Sequence, residues 1–244
     1  MSLENLKKKK KLKASIVMEQ FLRLLHYCGM PLQDVDFLNG KGPIASELIQ
    51  ASNIRMTQFT GSTRVAELLS KETHGKVKIE DAGFDWKILG PDVDNVEYVA
   101  WQCDQDAYAS SGQKCSAQSI LFMHEHWTRT DFLDRVKSFA SKRSLVDLTV
   151  GPVLTHTTDE ILKHVQTILQ IPGSYIICGG NELESHDIPE IYGAVEPTAI
   201  FVPLEEMIKD ENFELCVTEL FAPFQIITEY KDANVDLVLE ACER

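Results

Sequence analysis

Apolar residues along the chain recur first at helical and then at strand spacing. The first pattern predicts an amphipathic helix that stops at Gly29 and Pro31. Its apolar face consists of Ile16, Val17, Phe21, Leu24 and Leu25. Residues 34–40 then have the pattern of a strand that ends in a turn, residues 45–53 that of a helix, and residues 56–60 that of a short strand. Such alternation is typical of βαβ units with a parallel sheet.

The rest of the chain continues this alternation. A helix is predicted from an N-cap at Ser62 or Thr63 to a stop at Gly75, and a strand with a turn follows it. Further helices are predicted at residues 96–110, 130–143, 158–170 and 235–244, and further strands at residues 116–125, 175–180, 198–204 and 224–230. The sequence therefore predicts an α/β protein of two packed layers. The predicted boundary lies near Ala82 to Phe84, which gives domains at residues 1–81 and 82–244.

Charge and composition narrow the classes of partner. The chain contains 24 Lys and Arg residues and 37 Asp and Glu residues, so its net charge is −13. This negative charge argues against nucleic acid and anionic membranes as partners. No apolar run approaches the ~18 to 20 residues that cross a bilayer. Six cysteines without a CxxC pair indicate reduced thiols in an intracellular compartment.

The lysine run Lys7–Lys11 is interpreted as a solvated basic tail, with a localisation signal as the alternative. It lacks the pattern of a secretory signal or an import peptide, so a cytoplasmic location stays open.

The window SSGQKCSAQS is the strongest candidate for chemistry. Small residues surround Cys115, and Lys114 beside it supplies the positive potential that activates a thiolate. The alternative is a structural cysteine, since thiols pack as small hydrophobic groups. That alternative fits the cysteines in apolar patterns, which are Cys28, Cys178, Cys216 and Cys242.

Two further candidates lie at strand ends. Glu80 ends a predicted strand, where a carboxylate can serve as a general base. Gly61 and Ser62 join a strand to a helix, whose first N–H groups can hold a phosphate. The GxGxxG fingerprint is absent, and an ordinary strand end or capped helix is the alternative in each case.

The last candidates are Glu219 and Phe221 in TELFAPF, which could contact a ribose and an aromatic ring but could equally be a strand-edge glutamate beside a core phenylalanine. His124 and His126 would share a strand face, but no third ligand has suitable spacing and the HExxH pattern is absent. We therefore predict no metal site.

Four windows together carry a family resemblance. FTGSTRVAE, KIEDAGFD, GQKCSAQS and TELFAPF occur in the order and rough spacing of the aldehyde dehydrogenase superfamily, which the chain resembles from about Lys13 to Arg244. Within it, IEDAGFDWKILGPDV and IYGAVEPTAIFVPLEE look like the plant-type Δ1-pyrroline-5-carboxylate dehydrogenases. The resemblance implies part of the aldehyde dehydrogenase fold. Residues 1–81 would be the C-terminal part of a Rossmann-like NAD-binding domain, and residues 82–244 an α/β catalytic domain that is incomplete at its C-terminal end.

The resemblance also implies roles for the candidate residues. Cys115 would be the nucleophile that forms a thiohemiacetal and then a thioester, and Glu80 the base that activates the hydrolytic water. Gly61 and Ser62 would contact the pyrophosphate of NAD, Glu219 its ribose and Phe221 its nicotinamide. The implied reaction is the oxidation of L-glutamate 5-semialdehyde to glutamate in proline catabolism, by a homo-oligomer in mitochondria.

The sequence also departs from the family. Ala222 replaces a glycine of the family motif, and Ser110 stands where close relatives have cysteine. The family has further segments before and after the stretch that this chain resembles, including an oxyanion-hole asparagine and a strand for subunit association. Two alternatives therefore stay open: an inactive relative that binds full-length subunits, and a thiol hydrolase or acyl transferase that uses Cys115 without NAD.

Overall fold

The described part of the chain comprises residues 15–51, 54–81 and 83–244 of a computed structural model. It divides into two compact units, the first ending at Asp81 and the second beginning at Gly83 among these residues. The lysine run lies outside the described residues. No helix in the described ranges is long and apolar enough to cross a membrane.

The first unit contains a βαβ motif preceded by two helices. Its elements are α1 (Ser15–Tyr27), α2 (Gly42–Ala51), β1 (Thr57–Thr60), α3 (Thr63–Glu72) and β2 (Val77–Glu80). Strands β1 and β2 pair in parallel, with Thr60 opposite Glu80. The helices predicted at the start of the chain and after Ser62 are confirmed, as are the two strands. The helix predicted at residues 45–53 is confirmed as far as Ala51, and residues 52 and 53 lie outside the described residues.

The strand predicted at residues 34–40 is wrong. These residues have no strand conformation, and Val35 and Leu38 remain 44% and 67% exposed. An isolated extended segment gains neither ladder hydrogen bonds nor apolar burial, so its sequence pattern alone does not make a strand.

The second unit is a five-stranded sheet with helices on both faces. Its strands are β3 (Asp85–Leu89), β4 (Gln118–His124), β5 (Tyr175–Cys178), β6 (Thr198–Phe201) and β7 (Phe224–Tyr230). Its helices are α4 (Val96–Tyr108), α5 (Glu125–Thr128), α6 (Phe132–Ala140), α7 (Thr158–Ile168), α8 (Leu204–Met207), α9 (Asp210–Cys216) and α10 (Val235–Glu243). The strand order is β3-β4-β7-β6-β5, and every pair is parallel except β5 with β6.

Strand β4 shows why this sheet is covered on both faces. Ile120 and Phe122 belong to one buried cluster, with residues of α7, α8 and α9, while Leu121 and Met123 belong to a second, with residues of α4 and α6. Alternate residues of a strand point to opposite faces, so a continuous apolar run requires two covered faces. The predicted α/β class is confirmed, although the second unit has helices on both faces of its sheet rather than a single layer of helices.

The pattern missed the short helices α5, α8 and α9, which are four to seven residues long. Such segments hold too few turns for a 3.6-residue period to stand out. Because α5 was missed, the prediction that His124 and His126 share a strand face is wrong: His126 lies in α5.

Candidate active site

Cys115 lies in a turn between a left-handed loop and strand β4. The turn is closed by a hydrogen bond from Ala117 N to Lys114 O at 3.1 Å, and the Cys115 side chain is exposed. Immediately upstream, the short 3-10 segment Ala109–Gly112 ends in three consecutive residues with positive φ, namely Ser110, Ser111 and Gly112. Serine in this region of φ and ψ is strained, and such strain is concentrated at functional sites.

A second loop, residues 218–222, packs directly against this one. Phe221 also has a positive φ, of 50°. A Cβ atom added to Gly112 would lie 2.1 Å from Ala222 O, so the two backbones touch. Likewise, a Cβ on Gly83 would lie 2.4 Å from Glu219 Oε1 and 3.2 Å from Cys115 O. The second unit therefore brings Cys115, Glu219 and Phe221 into one region.

A narrow cleft marks this region. Its lining includes Gly83, Lys114, Glu219 and Phe221, and its volume is about 10 Å³. Loss of hydration raises the pKa of Glu219 above its ordinary value, and the neighbouring Asp85 carboxylate adds to the shift. The charged form of Glu219 would therefore gain from a hydrogen-bond donor.

The other cysteines differ from Cys115 in their surroundings. Burial raises the pKa of Cys103 to about 11 and that of Cys216 to about 12, and it also raises the pKa of Cys178. Such thiols stay protonated and unreactive near neutral pH. The structural interpretation is confirmed for Cys178 and Cys216, but it is wrong for Cys28, which is exposed after a helix that contains no buried residue.

The first unit groups the remaining candidates at the carboxyl end of its sheet. Glu80 is the last residue of β2, exposed as expected for a strand end, and its carbonyl accepts from Gly61 N at 3.1 Å. Ser62 is the N-cap residue of α3, yet its side chain makes no capping hydrogen bond. Gly61, Ser62 and Glu80 are therefore neighbours through the β1–β2 pairing.

The sequence patterns did not identify the residues that hold the Cys115 loop and the loop of residues 218–222 in place. Gln113 and Thr155 hydrogen-bond to segments remote in sequence, and Gly83 and Gly112 permit close backbone approach. The only local signal was the glycine content, because the bonding partners of Gln113 and Thr155 lie about 40 and 65 residues away.

The two histidines of the MHEH window lie close together in the second unit. Among the described residues, no three His, Cys, Asp or Glu side chains are placed to hold a metal ion. The rings of His124 and His126 meet edge to face, with centroids 4.4 Å apart.

The α/β fold and the two loops around Cys115 and Phe221 agree with a match to a known family. The sequence profile of the aldehyde dehydrogenase family matches residues 8–240. The chain therefore belongs to the aldehyde dehydrogenase family.

Two relatives are similar over nearly the whole chain. The Arabidopsis thaliana protein named "Delta-1-pyrroline-5-carboxylate dehydrogenase 12A1, mitochondrial" is 59% identical over 233 residues, which are 95% of this chain and 42% of that protein. A Linum usitatissimum protein named "Probable aldehyde dehydrogenase" is 60% identical over 232 residues, with the same shares. The chain thus spans less than half the length of these relatives.

A solved structure shares the fold. PnpE in complex with nicotinamide adenine dinucleotide superimposes with a TM-score of 0.76 at 21% sequence identity, over 91% of this chain and 45% of PnpE. The family match and this likeness give the chain part of the aldehyde dehydrogenase fold.

Proposed function

We propose that this chain takes part in the NAD-dependent oxidation of L-glutamate 5-semialdehyde to glutamate, with Cys115 as the nucleophile. The observation that carries the proposal is the exposed Cys115 turn, which packs beside Glu219 and Phe221 in the second unit. The 59% identity to the Arabidopsis relative, whose name gives this substrate in its cyclic form, supports the choice of aldehyde.

The first chemical step belongs to Cys115. Its thiolate adds to the aldehyde carbon, and the carbonyl oxygen becomes the oxyanion of a thiohemiacetal. The adjacent Lys114 supplies positive charge that favours the thiolate, and backbone N–H groups of the turn are suitable donors to the oxyanion.

NAD, when bound, accepts the hydride that the thiohemiacetal carbon loses, and a thioester on Cys115 results. Glu80 then takes a proton from water, whose oxygen attacks the thioester carbon. The C–S bond breaks, glutamate leaves and the Cys115 thiolate is restored. Each of these protein roles follows the positions that match the family motif.

The residues present fit the cofactor. Ser62 keeps a hydroxyl that is not used for capping, next to the first N–H groups of α3, and this is the chemistry that a pyrophosphate needs. A Cβ atom on Gly61 would lie 2.6 Å from the Phe59 ring, so glycine is needed at this position. Glu219 would accept from ribose hydroxyls, and the ring of Phe221 would lie against the nicotinamide. PnpE, whose structure contains this dinucleotide, shares the fold.

The domain roles and location are part of the same proposal. Residues 1–81 would be the C-terminal part of the NAD-binding domain and residues 82–244 the catalytic domain. A mitochondrial location follows the Arabidopsis relative's name. We propose a homo-oligomer by analogy with other members of the family.

The test is a direct assay. The 244-residue protein, NAD and glutamate semialdehyde are mixed, and NADH absorbance is followed. We expect Cys115→Ser to abolish the signal and Cys28→Ser, the matched change at another exposed cysteine, to preserve it. Glu80→Gln is expected to leave a first burst of NADH but to slow later turnover.

Three outcomes would contradict this proposal. The absence of NADH at high protein concentration would show that this chain lacks the activity. An active Cys115→Ser variant would show that Cys115 is not the nucleophile. Turnover of an activated ester without NAD, lost in Cys115→Ala, while no NADH forms, identifies a thiol hydrolase instead.

A further inference from the structure

One stretch of the second unit, residues 151–156, contacts both loops of the candidate site. It is termed the 151–156 segment. On the Cys115 side, Gln113 Nε2 donates to Pro152 O at 3.0 Å, and Gln113 Oε1 accepts from Leu154 N at 2.8 Å. Both ends of the Gln113 amide are thus engaged, two residues before the nucleophile. Gly151 N adds a bond to Ser111 Oγ at 2.8 Å.

On the other side, the segment contacts the loop that contains Phe221. Thr155 Oγ1 lies 3.1 Å from Leu220 O and 3.3 Å from Phe221 O. His156 Nδ1 lies 3.0 Å from Leu220 O, and since a carbonyl can only accept, this nitrogen carries the proton. The strained conformation of Phe221 is therefore held by hydrogen bonds at its own and the preceding carbonyl.

The segment itself is anchored in the core. Val153 is fully buried and exchanges two hydrogen bonds with Gly193, of 2.7 and 2.9 Å. The segment is therefore fixed at Val153, between the residues that bond to the Cys115 loop and those that bond to the Phe221 loop.

We propose that the 151–156 segment sets the position of Cys115 relative to Phe221, with Gln113 and Thr155 as its positioning residues. The inference rests on the proposed function for the roles of the two loops. A nucleophile and a cofactor contact have to be held to a fraction of an ångström, and the segment hydrogen-bonds to both loops in addition to the close approach of Gly112 to Ala222.

The test uses the reactivity of Cys115, which needs no cofactor. Thr155→Val removes the hydroxyl on the side of the segment remote from Cys115, and Thr155→Ser restores it. The rate of Cys115 alkylation by iodoacetamide is measured by peptide-resolved mass spectrometry across a pH series. We expect Thr155→Val to change this rate at least about threefold and Thr155→Ser to return it to near the wild-type value.

Controls separate positioning from general damage. The exposed Cys28 is an internal control in every sample, and its rate should stay constant. Thr167→Val is the matched variant, since the Thr167 hydroxyl bonds only within its own helix, to Lys163 O. Circular dichroism melting checks that each variant folds. Gln113→Ala should change the Cys115 rate too, and the double variant should show less than the product of the two changes.

The outcomes distinguish this inference from the proposed function. In the NADH assay, Thr155→Val should raise the KM for NAD, whereas Gln113→Ala should mainly lower kcat. A Cys115 alkylation rate unchanged by Thr155→Val, or changes that multiply independently, would overturn the positioning role whether or not NADH forms. A rate that responds as expected in a chain that makes no NADH would sustain the positioning role and reject the dehydrogenase.

Discussion

Gly112 shows how a single hydrogen atom in place of a side chain brings two loops together. Its φ of +66° lies in the left-handed region, and the site of a Cβ is 2.1 Å from Ala222 O. Ser110 and Ser111 adopt the same region without glycine, so the strain of this turn falls on the two serines. The loop before Cys115 is therefore shaped by contact with residue 222.

Substitution of Gly112 tests this contact. Gly112→Ala combines an unfavourable φ with overlap against a backbone oxygen, so we expect a loss of about 2 kcal/mol or more in the free energy of unfolding. Gly90→Ala is the matched control, because a Cβ there meets nothing within 4 Å. Urea unfolding of both variants gives the comparison, and equal midpoints for the two would contradict the overlap.

Glu219 links the candidate site to pH. Because its pKa is raised in the folded protein, its contribution to stability is fully present below the unfolded-state pKa and is lost as the pH rises through the folded-state pKa. Glu219→Gln should therefore raise Tm at pH 7 and lose this advantage below about pH 4. Thermal melts over this pH range measure the difference, and a Tm gain that is independent of pH would contradict the charge-based explanation.

At the scale of elements, a buried ion pair joins helix α4 to the loop after α6. Arg143 donates to Asp104 Oδ2 at 2.6 Å and to Asp104 Oδ1 at 3.2 Å, and it also donates to Thr149 O at 3.2 Å. The two side chains are 8% and 3% exposed. The loop that leads into the 151–156 segment is thus tied to α4 by charge as well as by packing.

Removal of one partner leaves the other charge buried. Asp104→Asn is expected to cost about 3 to 5 kcal/mol in the free energy of unfolding, because Arg143 keeps its charge without its main acceptor. Asp131→Asn breaks an exposed pair with Arg135 and should leave the unfolding midpoint near that of the wild type. If chemical denaturation shows the same small effect for both, then the buried pair does not tie α4 to this loop.

At the scale of the whole molecule, the two units differ in how much apolar surface they bury. In the described part of the first unit, Ala66 and Leu69 are the buried apolar residues. The second unit contains two extensive clusters, one on each face of its sheet. Opening free energies follow such burial, so the first unit should open more easily.

Hydrogen exchange measures this difference. Amides of β1 and β2 should exchange at least about tenfold faster than those of β4 and β7, which lie between the two clusters. Peptide-level mass spectrometry resolves the four strands, and the exposed end of α10 is a control for rapid exchange. Equal protection in β2 and β4 would show that the burial of apolar residues does not govern the order of opening.

The sequence by itself determined the elements that depend on local periodicity. The helices α4, α6 and α7 and the strands β4, β6 and β7 each have a complete apolar pattern, and all six were predicted. The window around Cys115 also stood out locally, and so did the ends of strands where Glu80 and Gly61 lie.

Only the tertiary structure decided what depends on remote partners. The strand order β3-β4-β7-β6-β5, the antiparallel edge at β5, and the absence of a strand at residues 34–40 follow from which segments pair and bury each other. The contact of Gly112 with Ala222 and the hydrogen bonds of Gln113 and Thr155 join residues about 40 to 110 positions apart. The periodicity of apolar residues is a property of neighbours along the chain. These contacts, in contrast, form only when segments that are distant in sequence pack against a common core.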